Sequence, residues 1–256
     1  MTSGLGDATD DVVRALAGLA PEPIDLMPRI FAWWCRVDAP IGEVFVAFTE
    51  RGVCYLRSSE LVLAEPMLFS ESFRARFRRP VLPAPRPPDG LESALRTGEL
   101  GELRLDLRDL TEFERAVLVA AGRIPVGEVR PYTWIAREIG RPAAAGGVGT
   151  ALVRNPVPLL VPCHRVIHPG GDVGGYVLGR QVKERLLRAE MVNLDEVRVL
   201  AGRRVYYLGC TSTNVVCFPT CQHVRAVTEE YRRGFRTVDE AVAAGYLPCP
   251  HCRPGH

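Results

Sequence analysis

Two groups of residues in this chain have types and spacing suited to chemistry. The first is Pro162-Cys163-His164-Arg165-Val166, which follows the apolar run Pro158-Leu159-Leu160-Val161. Only a thiolate is a good sulfur nucleophile, and a neighbouring imidazole can take the thiol proton directly or through a water. An isolated Cys-His pair is more often an inert buried thiol beside a surface histidine. Here Asn155-Pro156 lies upstream and Gly174-Gly175-Tyr176 downstream, a turn-rich setting in which backbone can approach a ligand closely. The second group is Cys217-x3-Cys221 and Cys249-x2-Cys252, separated by 27 residues. That is the spacing of a four-thiolate zinc site. His223 and His251 are alternative ligands, but paired cysteines satisfy tetrahedral zinc without them. On spacing alone such a site is a structural clip for a segment too small to build its own core.

The elements that must position these residues follow from pattern. From Phe31 to Leu56 apolar and polar residues alternate, with turn signals at Ile41-Gly42 and Arg51-Gly52, which predicts a strand meander with Cys35 and Cys54 in its core. Pro80 to Pro88 predicts an extended surface connection, and Glu102 to Leu107 a further strand. Thr111-Glu112-Phe113-Glu114 is a capping box opening a helix with Phe113, Val117, Ala121 and Ile124 on one face. Tyr132–Ile139 and Ala143–Arg154 predict two helices around Gly140-Arg141-Pro142, in the manner of a helix-turn-helix. A further helix over Val182–Ala189 brings Glu190 to its end, and a short amphipathic helix is expected at Asp11–Leu19.

Composition sets the limits. With 256 residues and 47% hydrophobic content, the chain can bury a substantial core. Net charge is only +2, so any nucleic-acid binding must use a local basic face. Arginine supplies nearly all the positive charge, Lys183 being the only lysine. From Gly202 onward seven arginines face four acids, against a nearly neutral remainder. Met1–Asp10 is polar and acidic, and no run of about 18 apolar residues offers a membrane span, so a cytoplasmic protein with reduced thiols is expected. Five of the eight cysteines fall in the last fifty residues, which points to metal or catalysis before disulfides.

The stretch from Gly127 to Glu190 resembles the methylated-DNA–protein-cysteine methyltransferases, which move an alkyl group from O6 of guanine onto their own cysteine. The PCHRV signature is complete, and the longer frame N-P-V-P-x-x-x-P-C-H-R-V is met from Asn155 through Val166. The resemblance implies Cys163 as acceptor, His164 taking its proton through a water, and Glu190 orienting the imidazole. It implies that Asn155 braces the turn and that Tyr132 donates a phenol proton toward the guanine ring. Arg165, Val166, Tyr176 and Val177 complete the implied substrate and DNA contacts. Residues 211–221 and 241–254 resemble the metal-binding domain of the Ada repair protein, in which one zinc-bound thiolate accepts a methyl group from a phosphotriester. The matching residue is Cys217, followed by Phe218 where relatives carry a basic residue.

The implied fold is α/β: an N-terminal extension (1–30), a small mixed α/β, ribonuclease-H-like subdomain (31–108), a helical, winged-helix-like methyltransferase domain (109–195), and a small α+β zinc domain (202–256). The implied function is single-turnover repair of O6-alkylguanine at Cys163, with Cys217 a second candidate acceptor, zinc on Cys217, Cys221, Cys249 and Cys252, and alkylated DNA as partner. A monomer without an organic cofactor is expected. The alternatives are a non-catalytic zinc-stabilised binder of alkylated DNA and a thiol acting on a small alkyl donor. One departure bears on all three. The family's intercalating arginine, fourteen residues after Tyr132, is Gly146 here, within Gly146-Gly147-Val148-Gly149.

Overall fold

The computed structural model describes residues 30–255. Strands β1 (Ala32–Ala39), β2 (Gly42–Thr49) and β3 (Gly52–Ser58) form the expected antiparallel meander. Alternation along β2, with a register shift opposite Cys54 in β3, sends Phe45, Ala47 and Tyr55 to one face and Val44, Val46, Val53 and Leu56 to the other. Helix α1 (Pro66–Phe77) covers the first face with Phe69 and Phe73, giving an aromatic cluster in which Phe45 and Phe69 stack at 5.2 Å. The second face joins the main core with α2 (Leu91–Thr97) and α3 (Glu112–Gly122).

Two expectations here are corrected. Val81–Pro83 is not only a surface connection but an edge strand, β4, parallel to β1. Its proline is tolerated because an edge strand leaves one side unpaired. Glu102–Leu107 does not form a strand; a single bridge, Val53 to Leu105, ties it to β3. The approach is so close that a Cβ on Gly52 would lie 2.2 Å from the Arg104 carbonyl oxygen. The chain then turns inward, where the buried Asp106 accepts hydrogen bonds from Thr49 (2.9 Å) and Arg108 (2.7 Å). Helices α1 and α2 were not foreseen, and Asp11–Leu19 lies outside the described residues.

The capping box forms as read: Thr111 Oγ1 accepts from the Glu114 N–H at 3.2 Å, and the Glu114 carboxylate accepts from the Thr111 N–H at 3.0 Å. After α3 comes β5 (Arg130–Pro131), then α4 (Tyr132–Glu138), a 3-10 turn, and α5 (Ala145–Val153). Strand β6 (Val166–Ile167) pairs in parallel with β5 directly after Cys163–Arg165, so Tyr132 and Cys163 flank one two-stranded ladder. Helix α6 (Arg180–Ala189) ends at Glu190, and α7 (Leu194–Gly202) leads to the last module.

In that module β7 (Tyr207–Cys210), β8 (Val215–Cys217), β9 (Arg232–Phe235) and β10 (Leu247–Pro248) form a sheet of order β10-β8-β7-β9, with α8 (Gln222–Arg225) and α9 (Val238–Ala243) between strands. Its four paired cysteines are buried in the same apolar core as Trp134 and Ile135 of α4. The architecture is mixed α/β. Among the described residues, no helix is long and apolar enough to cross a membrane.

Candidate active site and zinc centre

The turn that presents Cys163 is held by Asn155, which is fully buried. Its Oδ1 accepts from the Val157 N–H at 3.0 Å, while its amide nitrogen donates to the Val161 carbonyl and to Cys163 Sγ, both at 3.1 Å. An amide donor aimed at sulfur favours thiolate over thiol. Burial nevertheless dominates and pushes the Cys163 thiol up to about 11, with the Asn155 hydrogen bond and the Lys183 charge pulling the other way.

His164 is buried, and Nε2 lies 2.8 Å from Glu190 Oε1. Burial lowers the imidazole below its ordinary pKa although Glu190 opposes the shift, so the ring is neutral at pH 7. Nδ1 has no hydrogen-bond partner among the described residues. Burial would raise the Glu190 carboxyl, but hydrogen bonds from His164 and Arg165 outweigh it and hold the group at about 2. An anionic, doubly anchored carboxylate on Nε2 fixes which ring nitrogen is left for proton transfer.

Of these groups Cys163 borders a cavity of about 420 Å³, which Tyr132, Gly146, Tyr176, Val177 and Lys183 also line, whereas Asn155, His164 and Glu190 do not. Gly174 sits at φ +69°, where a Cβ would lie 2.9 Å from the Tyr132 hydroxyl, so glycine lets the loop close over the phenol. Tyr132, Tyr176 and Val177 line the same cavity as Cys163. Arg165 and Val166 do not border the cavity. The Arg165 guanidinium turns away, bonding the Glu190 carboxylate and, at 2.7 Å, the Ile124 carbonyl. The Val166 carbonyl accepts from Lys183 Nζ at 2.6 Å.

Lys183 is the site residue that sequence reasoning passed over. It is almost fully buried, and burial lowers its ammonium to about 8 while the Cys163 and Asp172 charges oppose the shift. The available signal was its isolation: it is the one lysine in a chain that otherwise uses arginine.

Cys217, Cys221, Cys249 and Cys252 place their sulfurs within 4.8 Å of one another, all buried and none in a disulfide. Four converging thiols form the closed donor set that tetrahedral zinc takes, and zinc is the metal of this module. The module is bonded firmly to α4 and the segment before it. Trp134 Nε1 donates to the Cys252 carbonyl at 3.0 Å, and Thr220 Oγ1 exchanges hydrogen bonds with the Val129 N–H (3.0 Å) and carbonyl (3.2 Å). His251 Nε2 lies 3.1 Å from the buried Glu128 carboxylate. Cys217 is 2% exposed, and the neighbouring cavity of about 170 Å³ is walled by Phe218, Pro219 and Thr220 rather than by its sulfur.

Residues 112–192 match the DNA-binding domain of 6-O-methylguanine DNA methyltransferase, and residues 201–255 match the metal-binding domain of Ada. The methylated-DNA–protein-cysteine methyltransferase of Methanosarcina acetivorans is 34% identical over 163 residues, covering 62% of this chain and 97% of that protein. The corresponding protein of Mycolicibacterium paratuberculosis is 48% identical over 95 residues, covering 36% of this chain and 57% of the relative. A crystal structure of Mycobacterium tuberculosis OGT in complex with DNA superposes with a TM-score of 0.50 at 35% identity, covering 65% of this chain and 98% of that one. A zinc-bearing protein built on a single buried thiol and an imidazole–carboxylate pair is what fold and site define together. The chain belongs to the methylated-DNA–protein-cysteine methyltransferase family.

Proposed function

We propose that this protein repairs O6-alkylguanine in DNA by moving the alkyl group irreversibly onto Cys163. The observation that carries this reading is Cys163 held by the Asn155 amide, next in sequence to the His164–Glu190 pair, on a cavity that Tyr132 also lines. His164, neutral and with Nδ1 unengaged, takes the thiol proton through a water, and Glu190 stabilises the imidazolium. Sγ then attacks the carbon bonded to O6. The S–C bond forms as the C–O6 bond breaks, and guanine leaves with the electron pair. The Tyr132 phenol donates toward the guanine ring to neutralise the leaving base. Lys183 supplies positive charge beside the sulfur and braces the Val166 carbonyl. The thioether has no route back to thiol, so each molecule reacts once.

Bases reach such a site only when extruded from the stack, which costs a few kcal/mol and less for damaged bases. Gly146 lines the cavity where the family's wedge would stand. Repair of single strands and of free O6-alkylguanine is therefore favoured over duplex. We read residues 31–108 as a ribonuclease-H-like subdomain, supported by three antiparallel strands with β4 parallel to β1. Residues 109–195 read as a winged-helix-like catalytic domain and 202–256 as the zinc module. We read the protein as a cytoplasmic monomer without an organic cofactor.

Bound zinc keeps coordinated thiols deprotonated and can leave one of them nucleophilic. Phosphotriester repair at Cys217 is supported by the match to the Ada domain alone. The cavity beside Cys217 is walled by Phe218 and not by its sulfur, which favours a structural role, and that role we adopt. The test is to incubate the protein with an oligonucleotide holding one O6-methylguanine, single- and double-stranded, and to seek methylated Cys163 in the digest by mass spectrometry. A Cys163 peptide unmodified in both would leave the non-catalytic binder of alkylated DNA and the thiol acting on a small alkyl donor.

A further inference from the structure

The buried residues Glu128 and Arg130 take no part in the chemistry above, yet they lie between the two cysteine centres. Both side chains are 1% exposed and form an ion pair. The other Glu128 oxygen accepts from the Gln222 N–H at 2.9 Å and meets His251 at 3.1 Å, so this carboxylate grips the residues beside Cys221 and Cys252. The Arg130 guanidinium lies 5.2 Å from the Phe218 ring centroid and 5.7 Å from that of Trp134. On its far side Arg130 is the first residue of β5, which pairs with Val166 of β6 and runs directly into Tyr132. A second tie comes from Arg225, which donates to the Gly127 carbonyl at 3.2 Å, where the backbone packs against the Glu190 carbonyl. Residues 127–134 are therefore held by the zinc module from one side and by the alkyl-transfer site from the other.

We propose that Glu128 and Arg130 are positioning residues through which the zinc-loaded module fixes Tyr132 and the β5–β6 ladder beside Cys163. Zinc occupancy thereby sets the rate of alkyl transfer at a site that contains no zinc ligand. The ion pair lies within one segment, and what depends on the relative placement of the two modules is its outer contacts: the Glu128 bonds to Gln222 and His251 and the Arg130 approach to Phe218, whose loss would leave buried charges less well satisfied. The inference rests on Cys163 being the alkyl acceptor.

The test uses the full chain and free O6-benzylguanine, so that DNA contacts made by the zinc module do not enter. Zinc-loaded, chelator-stripped and zinc-restored protein are compared in two ways: hydrogen exchange of peptides covering 127–135 and 164–168, and time courses of Cys163 benzylation by mass spectrometry. Stripping is expected to speed exchange in both peptides and to lower the rate constant at least tenfold, with both restored by zinc. Glu128→Gln, with its zinc content and circular dichroism checked against wild type, is expected to lower the rate constant three- to tenfold while the final extent of labelling stays complete. A merely structural role would reduce the extent and leave the rate constant of the reactive fraction unchanged, which overturns the proposal. Unchanged exchange in the stripped protein overturns it as well. If zinc-loaded wild type leaves Cys163 unlabelled, the acceptor reading fails instead, and the exchange arm alone still decides whether zinc orders residues 127–134.

Discussion

Cys163 and Cys217 are the same residue type, both almost fully buried, and their surroundings give them different chemistry. Cys163 is a single sulfur with one amide donor, a neutral imidazole beside it and a cavity in front. Cys217 is one of four converging sulfurs, flanked by Phe218 and packed into the core that Trp134 shares. The first arrangement manages a proton and admits a base. The second matches a closed structural zinc site, which holds metal by excluding everything else. Exposure alone does not separate a nucleophile from a ligand; what separates them is whether a cavity and a proton acceptor face the sulfur.

The largest expected effect tests that contrast directly. Cys163→Ala should abolish all alkyl incorporation while the protein retains its zinc, read by adduct mass and metal content. Wild type offered a DNA methylphosphotriester should keep Cys217 unmodified. A methyl group on the Cys217 peptide would erase the distinction between the two centres.

Glu190→Gln comes next. Losing the carboxylate that orients and stabilises His164 should slow Cys163 alkylation by about 10²-fold at pH 7, the lower end of what general acid–base groups contribute. The same group carries an acid-stability signature. Its folded pKa of about 2 lies below the unfolded value near 4.5, so its stabilisation is present above pH 4.5 and is lost as pH falls toward 2. That difference corresponds to about 3 kcal/mol, and denaturant titrations across this range should show a shallower pH dependence in Glu190→Gln.

The Cys163 turn was legible because the motif that carries the resemblance is contiguous from Asn155 to Val166, and Asn155 does bond Cys163, whereas the more distant Tyr132 and Glu190 were reached only through the resemblance. The zinc quartet was legible from the spacing of its two cysteine pairs. The junction was not: Glu128, Arg130 and Trp134 meet Gln222, Phe218 and Cys252 across about ninety to 120 positions, which no periodicity encodes. The resemblance implies Arg165 as a substrate or DNA contact, whereas its buried guanidinium bonds the Glu190 carboxylate, a pairing that sequence position does not encode. Glu102–Leu107 misled because alternation marks a half-buried segment, and here only the single bridge at Val53 forms rather than a ladder along β3.

A smaller effect concerns Lys183, whose charge near Cys163 favours the thiolate. Lys183→Met should lower the alkylation rate on the order of tenfold at pH 7, equivalent to one unit in the thiol pKa. Because Lys183 titrates at about 8, the wild-type advantage should shrink as pH rises past that value and the lysine loses its charge. A ratio constant from pH 7 to 9 would assign Lys183 to holding the Val166 carbonyl instead.

The smallest effect probes delivery of the base rather than the sulfur. A Cβ built on Gly146 meets nothing within 4 Å, so a side chain there faces open space at the mouth of the cavity. Gly146→Arg should therefore be accommodated and should stabilise α5 by up to about 1 kcal/mol, since glycine is the weaker helix former. It should raise the Cys163 rate on duplex O6-methylguanine severalfold and leave the rate with the free base unchanged. Equal gains on both substrates would mean that the substitution acts on the sulfur's environment. No gain on duplex would mean that base extrusion does not limit this protein, and that the glycine at this position carries no penalty for repair.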